Sequence, residues 1–189
     1  MTGKVVFVGA GPGAPDLITV RGAETIANAD IIIWASSLVN PEVVARHKEG
    51  AELIDSASAS LEDILPYYER ARDEGILVAR VHTGDPSIYG ATAEQRQVLD
   101  EMGVPYETIP GVSAFSAAAA MSDVEITLPE VSQSLILTRL EGGRTPMPPR
   151  KMSATSPRTA RRWRFTFRQH VRNNSRRSYW PAATPRIPR

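Results

Sequence analysis

The 189-residue chain has no cysteine, few aromatic residues and no long apolar run. The absence of cysteine excludes disulfides, thiolate metal sites and a cysteine nucleophile. It also fits a cytoplasmic location. No apolar run approaches the roughly 18 residues that a membrane span needs, and the apolar stretch at 5–8 is too short for a signal-peptide core. We therefore expect a soluble, cytoplasmic protein with no membrane partner.

Acidic residues are missing from the last quarter of the chain. All 21 Asp and Glu lie at or before Glu141, together with nine Lys and Arg, whereas 13 Lys and Arg and no carboxylate follow from Arg144 onward. The formal net charge of +1 therefore averages an acidic part and a basic part. The two parts have to be interpreted separately.

Strands alternate with helices through the acidic part. Apolar runs predict strands at 5–8, 31–34, 52–54, 76–81, 105–109 and 134–138, and helical spacing or capping residues predict helices at 17–27, 41–48, 60–74, 93–101 and 117–120. Ser60 is the predicted N-cap of the third helix, and Gly75 is its predicted stop. This order favours an α/β fold, a doubly wound parallel sheet with helices on both faces.

Three of the predicted strands end in loops that contain glycine, at 9–13, 84–86 and 110–111. In an open parallel sheet, ligands bind beyond the carboxyl ends of the strands. The stretch 78–90 is the most informative of the three, because a buried strand there leads into a tight Gly-Asp-Pro turn. The sequence therefore predicts a small-molecule site where the three loops meet.

Two common chemistries fit these loops poorly. Residues 9–14 satisfy G-x-G-x-x-G/A, but Pro12 and Pro15 each remove an N–H that a dinucleotide pyrophosphate would use, and no acidic residue follows the second strand. The histidines, His47, His82 and His170, are scattered and show no metal-ligand spacing. We therefore expect neither a dinucleotide nor a metal site, and we interpret His82 as structural.

A specific resemblance lies in two long stretches. Residues 8–13 followed by 17–22 resemble the first signature of the tetrapyrrole methylases, the S-adenosylmethionine-dependent enzymes of sirohaem and corrin synthesis. Residues 78–90 resemble their second signature, and 110–114 follow at the expected place. Within the family, 34–40, 55–57 and 83–90 are similar to members that methylate a corrin precursor. The uroporphyrinogen branch usually has an Asp where this chain has Ser36.

The resemblance implies two α/β domains with S-adenosyl-L-methionine, the methyl donor, in the cleft between them. It also implies a tetrapyrrole substrate, a homodimer in the intact family and no metal. Carried over position by position, it places donor contacts at the following residues: Pro12, Thr83, Gly84, Asp85, Ile88, Ser113 and Ala114. It identifies no catalytic side chain, and Asp85 could either orient the donor or cap its own turn. A sulfonium methyl group is already activated, so alignment with an electron-rich ring carbon can supply much of the rate.

The resemblance covers residues 1 to about 147, which predicts an N-terminal domain at 1–120, the start of a truncated second domain at 121–147 and an irregular basic tail at 148–189. Three interpretations of the tail remain: a nucleic-acid arm with Arg and aromatic residues interleaved, a patch for substrate carboxylates, or an out-of-frame translation. The abrupt loss of every Asp and Glu favours the last. Because the family's donor cleft needs walls from both domains, we expect this chain to be a poor enzyme. The rival function is nucleic-acid binding through the tail.

Overall fold

The computed structural model of the chain describes residues 3–131, 133–139 and 163–167. Its contacts divide the chain into two compact units, Met1–Ala114 and Phe115–Arg189. The strands are β1 (Lys4–Gly9), β2 (Ile31–Trp34), β3 (Glu52–Asp55), β4 (Leu77–His82), β5 (Tyr106–Ile109), β6 (Leu135–Arg139) and β7 (Trp163–Phe167). The α-helices are α1 (Val20–Asn28), α2 (Pro41–Val44), α3 (Leu61–Glu74), α4 (Thr92–Met102) and α5 (Ala114–Met121).

The first unit is built on a five-stranded parallel sheet with the order β3-β2-β4-β1-β5. Strand β1 lies between β4 and β5, and Gly9 at its end is in register with His82 at the end of β4. The loops that leave β4, β1 and β5 therefore start side by side at one edge of the sheet. This is the edge at which the sequence predicts the ligand site.

The two faces of the sheet carry separate hydrophobic cores. Val6 and Val8 of β1 pack with residues of α1 and α2, whereas Val5 and Phe7 pack with residues of α3 and α4. The side chains of these four residues are fully buried. Because alternate residues of a strand point to opposite faces, the unbroken apolar run reflects a strand covered on both sides. The doubly wound parallel α/β fold is confirmed.

Helix α3 begins and ends where the sequence predicts. The Ser60 hydroxyl accepts a hydrogen bond from the Asp63 N–H, and the Asp63 carboxylate accepts one from the Ser60 N–H. Gly75 ends the helix in the left-handed conformation, with φ of 69°. The reciprocal pair is a capping box, which satisfies two backbone donors that a helix start leaves unpaired.

The first helix differs from its prediction. A 3-10 turn, Pro15–Leu17, precedes α1, so Leu17 lies outside the helix. Val20 is 76% exposed, and the side of α1 that faces the core carries Gly22 and Ile26. The predicted start of this helix at Leu17 is therefore wrong, since α1 begins three residues later, at Val20. Helix α2 is also shorter than predicted, since it ends at Val44.

The second unit contains a strand pair that the sequence predicted only in part. Strand β6 pairs in parallel with β7, from Leu135 opposite Trp163 to Arg139 opposite Phe167. Strand β7 lies in the tail that was predicted to be irregular, and its pairing with β6 is a finding of the structure. The rest of the tail, on which the nucleic-acid alternative depends, lies outside the described residues. None of the helices described by the structure is both long and apolar enough to cross a membrane.

Candidate functional site

The loops after β1 and β4 are joined directly through their backbones. Gly11 and Gly84 form an antiparallel bridge, in which the Gly84 N–H donates to the Gly11 carbonyl at 2.7 Å and the Gly11 N–H donates back at 3.3 Å. The Ala10 N–H donates to the His82 carbonyl at 2.7 Å. These bonds continue the pairing of β1 with β4 beyond the ends of the strands. The two loops therefore have a fixed relative position.

The loop after β5 packs against the other two at a contact between glycines. A Cβ atom on Gly111 would lie 2.1 Å from the Gly84 carbonyl oxygen, and one on Gly9 would lie 2.5 Å from the Gly111 Cα. Distances this short are far inside van der Waals contact, so no side chain fits at either position. Glycine at 9 and 111 allows three backbone segments to touch. The three loops therefore meet in the structure, as the sequence predicts.

Asp85 ties the β4 and β5 loops together with its carboxylate. Its Oδ1 accepts a hydrogen bond from the Ser87 N–H at 2.7 Å, and its Oδ2 accepts one from the Gly111 N–H at 3.1 Å. Bonds from backbone N–H groups to a carboxylate are among the stronger hydrogen bonds in proteins. The structure thus shows the turn-capping role considered for Asp85. A contact between Asp85 and the donor stays a prediction.

Gly84 borders a small open space between loops. Its φ is +63°, and a Cβ atom placed on it would meet the Ala114 nitrogen at 4.0 Å as its nearest neighbour. Gly84 itself is buried, Thr83 beside it is exposed, and Ala114 is the first residue of α5. A buried glycine with room beside it can hold a ligand against the main chain.

The other predicted contacts lie on the same three loops. Pro12 lies in the β1 loop, and Ser113 directly precedes α5. Ile88 is half-buried, and its N–H donates to the Asp85 carbonyl at 3.1 Å. Tyr89 and Ala91, with φ of 57° and 48°, hold the end of the β4 loop in the left-handed region. Backbone of this kind costs energy in non-glycine residues and often accompanies a functional site.

Asn40 is a site residue that the sequence reasoning did not identify. It lies at the end of the β2 loop, where its Nδ2 donates to the Gly13 carbonyl at 2.9 Å. Its Oδ1 accepts from the Glu42 N–H at 3.0 Å, which caps helix α2. Asn before Pro41 is a recognisable capping signal. The bond to Gly13 joins residues 27 positions apart, so no short sequence motif could have indicated it.

Ser36, at the start of the β2 loop, is bound to the end of β3. Its N–H donates to Asp55 Oδ1 at 3.0 Å, its hydroxyl donates to Oδ2, and the Ala57 N–H also donates to Oδ1. The hydrogen bonds from Ser36 hold the pKa of Asp55 below its ordinary value. A carboxylate at position 36 would face that of Asp55 and lose this bond. Ser36 and Asp55 therefore fit together, and the branch of the family that usually has an Asp at position 36 matches this chain less well.

His82 has a structural environment. Burial lowers its pKa to about 3, and the nearby charges of Arg80 and Arg96 act in the same direction. Its ring centroid lies 5.9 Å from that of Phe7. A histidine that remains neutral at physiological pH and packs on a core aromatic residue is a poor proton carrier. This supports the structural interpretation of His82.

The glycine loop after β1 does not continue into a helix. A 3-10 turn follows it, and α1 starts at Val20, seven residues after Gly13. In a dinucleotide site the loop opens directly into the helix whose N–H groups bind the pyrophosphate. This geometry agrees with the rejection of a dinucleotide site.

Comparisons with known proteins give a consistent result. The family model of the Tetrapyrrole (Corrin/Porphyrin) Methylases matches residues 4–165. The cobalt-precorrin-4 C(11)-methyltransferase of Methanocaldococcus jannaschii is 53% identical over 145 residues, which cover 77% of this chain and 56% of that protein. The chain therefore spans little more than half the length of that relative.

Solved structures of the same family resemble the fold. A cobalt precorrin-4 methyltransferase, a cobalamin biosynthetic enzyme, matches with a TM-score of 0.72 and 44% identity over 77% of this chain and 61% of that chain. A uroporphyrin-III C-methyl transferase from Thermus thermophilus, complexed with S-adenosylhomocysteine, matches with a TM-score of 0.60 and 28% identity over 77% and 60%. With its fold, its two signatures and the matched range of 4–165, the chain belongs to the tetrapyrrole methylases.

Proposed function

We propose that this chain binds S-adenosyl-L-methionine at the loops after β1, β4 and β5 and serves the C-methylation of a corrin precursor. The substrate is precorrin-4 or cobalt-precorrin-4, methylated at ring carbon 11 in cobalamin biosynthesis. The observation that carries the proposal is the open space between Gly84 and Ala114, where three loops meet in a chain of this family. Six of the seven residues that the resemblance assigns to the donor lie on the loops after β1, β4 and β5, and Ala114 directly follows the last of these loops.

The choice of the corrin branch has two supports. Identity and fold similarity are higher to the precorrin-4 methyltransferases than to the uroporphyrin-III enzyme. The second support is the hydrogen-bonded pair of Ser36 and Asp55, because an Asp at position 36, usual in the uroporphyrinogen branch, would repel Asp55.

The residues of the site act by binding and alignment. When bound, S-adenosyl-L-methionine supplies an electrophilic methyl group. The backbone of Gly84 and the start of α5 offer polar groups, and Pro12 and Ile88 offer apolar contact. Fixing the donor in one orientation removes the entropy that random encounter with the ring carbon would cost. Because the loops are joined through their backbones, their positions are fixed before the donor binds.

The same proposal includes a cytoplasmic homodimer and a domain division at 1–120, 121–147 and 148–189. These points come from the family resemblance and from composition. Size-exclusion chromatography with light scattering measures the oligomeric state. A monomer at micromolar concentration would contradict the dimer.

The first test is titration calorimetry of S-adenosylhomocysteine into the full chain and into its Gly84→Ala variant. The new methyl group would project into the space beside Ala114, so we expect the dissociation constant to rise at least tenfold, which equals about 1.4 kcal/mol. Gly103→Ala is the matched control. Gly103 has nearly the same φ, +68°, with nothing within 4 Å of its Cβ position, and it lies at the end of α4.

The two variants should lose similar stability, about 1–2 kcal/mol, because both place alanine in the left-handed region. A weaker affinity in Gly84→Ala alone supports the site. Absence of binding by the wild-type chain, or equal affinities of wild type and Gly84→Ala, would contradict the proposal. Methyl transfer to precorrin-4 is the second readout, and we expect it to be slow, because the family's donor cleft needs walls from both domains.

A further inference from the structure

Asn40 makes two hydrogen bonds that serve different parts of the molecule. Its Oδ1 accepts from the Glu42 N–H and caps α2 within the local sequence. Its Nδ2 donates to the Gly13 carbonyl in a different loop, at 2.9 Å and partly buried from water. The two bonds need an acceptor and a donor on separate atoms of one side chain. An asparagine amide provides this combination.

Capping alone does not explain the choice of asparagine. Asp, Ser and Thr cap helices about as well, since each offers a side-chain oxygen to the first N–H groups. An ionised Asp, however, has no donor for the Gly13 carbonyl, and a Ser hydroxyl is too short to replace an amide that reaches two groups. The bond to Gly13 is therefore a role separate from the cap.

The outer half of the β1 loop depends on this bond. Gly11 is held by its bridge to Gly84, but Pro12 has no N–H to donate. Gly13 has a φ of 130°, a conformation that glycine adopts readily and that leaves the chain mobile unless it is fixed. In the described part of the chain, the Asn40 amide is the group that holds the Gly13 carbonyl.

We propose that Asn40 is a positioning residue that fixes the Gly13 peptide and thereby places Pro12 for contact with the methyl donor. This inference rests on the proposed function, because Pro12 is a donor contact there. In this proposal Asn40 acts through the loop and not by its own contact with the donor or the substrate. The β2 loop is thus connected to the end of β3 through Ser36 and to the β1 loop through Asn40.

The test uses Asn40→Asp, which keeps the cap and replaces the donor with a carboxylate facing a carbonyl. At about pH 7.5, where this carboxylate is ionised, we expect the dissociation constant of S-adenosylhomocysteine to rise about tenfold, because a hydrogen bond is replaced by a repulsion. The Gly13 carbonyl disfavours the charged form of the new carboxyl, whereas the hydrogen bond from the Glu42 N–H favours it. Once protonated, the group has an O–H for Gly13 and an oxygen for Glu42. The affinity ratio to wild type should therefore return toward one as the pH is lowered through the pKa of this carboxyl, which its NMR titration locates.

Two further variants separate this effect from general damage. Asn40→Ser keeps a capping oxygen but loses the amide donor, so its affinity should fall a few-fold, equally across the pH series. Asn28→Asp is the matched control, since Asn28 is exposed at the end of α1 and its amide also donates to a carbonyl, that of Glu24 at 2.7 Å. It should bind with wild-type affinity across the pH series. Equal affinities of wild type and Asn40→Asp at about pH 7.5 would overturn the proposal.

Amide NMR of the ligand-free chain provides an independent readout. In Asn40→Asp, the resonances of Gly11, Gly13 and Ala14 should shift at about pH 7.5 and return toward wild type as the new carboxyl is protonated. Resonances that do not move overturn the positioning role, whatever the chain binds. Shifted resonances in a chain that binds no S-adenosylhomocysteine would instead contradict the proposed function and retain the contact between Asn40 and the loop.

Discussion

Gly111 has no room for a side chain, because the Gly84 carbonyl would lie 2.1 Å from its Cβ. We expect Gly111→Ala to lower the free energy of unfolding by about 3 kcal/mol or more, since the clash is with backbone and forces two loops apart. Urea unfolding at neutral pH measures this loss.

Gly50→Ala provides the comparison for Gly111→Ala. Gly50 has a φ of +82° and nothing within 4 Å of its Cβ position, so alanine there meets strain without a clash. The expected loss is about 1–2 kcal/mol. Losses of equal size in the two variants would show that the contact between the glycines can relax, against our interpretation.

His82 should remain neutral well below the pH at which histidines usually ionise. Burial lowers its pKa to about 3, against about 6.5 in an unfolded chain. Its contribution to stability is therefore fully present above about pH 6.5 and is lost as the pH falls toward the folded pKa. The imidazole proton resonances of His82 should show no titration between about pH 7 and 4.5. A midpoint near 6.5 would mean that the ring is accessible to water.

A variant tests the same point through stability. His82→Gln removes the titrating group, so its free energy of unfolding should fall less steeply than that of wild type between about pH 6.5 and 4.5. Parallel pH profiles for the two proteins would contradict the assignment. Both profiles come from urea unfolding at several pH values.

Residues in the loops show what a sequence can and cannot predict about a site. Gly9, Gly84 and Gly111 could be identified because their loops follow apolar strands, and parallel topology brings such loops together. The bonds from Asp85 to Gly111 and from Asn40 to Gly13 could not, because each joins loops that are far apart in sequence. Their partners depend on strand order, which hydrophobic patterns do not encode.

Helix α3 illustrates an element whose boundaries are encoded locally. Ser60→Ala removes the side-chain half of the capping box, so we expect a loss of about 1 kcal/mol in the free energy of unfolding. Ser58→Ala, in the exposed loop just before, is the control and should change the stability by less than about 0.5 kcal/mol. Urea unfolding of both variants gives the comparison. A loss in Ser58→Ala as large as in Ser60→Ala would show that the cap contributes nothing specific.

Helix α1 illustrates the opposite case. Its sequence offers an apolar spacing through Leu17 and Val20, but the helix starts at Val20 and buries Gly22 and Ile26. Thr19 caps this start by accepting from the Gly22 N–H at 3.1 Å. Gly22 packs against Val8, whose side chain would be 3.1 Å from a Cβ there. Close packing of the helix on β1 goes with this buried face, which apolar spacing alone does not indicate.

At the scale of the molecule, the sequence predicted the class of fold but not the order of its strands. Alternating strands and helices required a parallel sheet with helices on both faces, and the structure has one. The order β3-β2-β4-β1-β5 depends on the total surface that the crossover connections bury. That area is a property of the whole unit, and no single segment determines it. The pairing of β6 with β7 was missed for a related reason, since the composition around β7 indicates disorder.

The central place of β1 has a consequence for the order of events during synthesis. Among the described strands β1 is synthesised first, yet its neighbours β4 and β5 end at His82 and Ile109, which lie 73 and 100 residues after Gly9. At about 5–20 residues per second, the fully apolar run of β1 waits on the order of 5–20 seconds for both partners. During that time β1 is unpaired and prone to aggregation. Its sheet then forms through long-range strand pairing, which is slow. A strand whose apolar side chains are fully buried in the finished protein is thus the described strand that waits longest for its partners during synthesis.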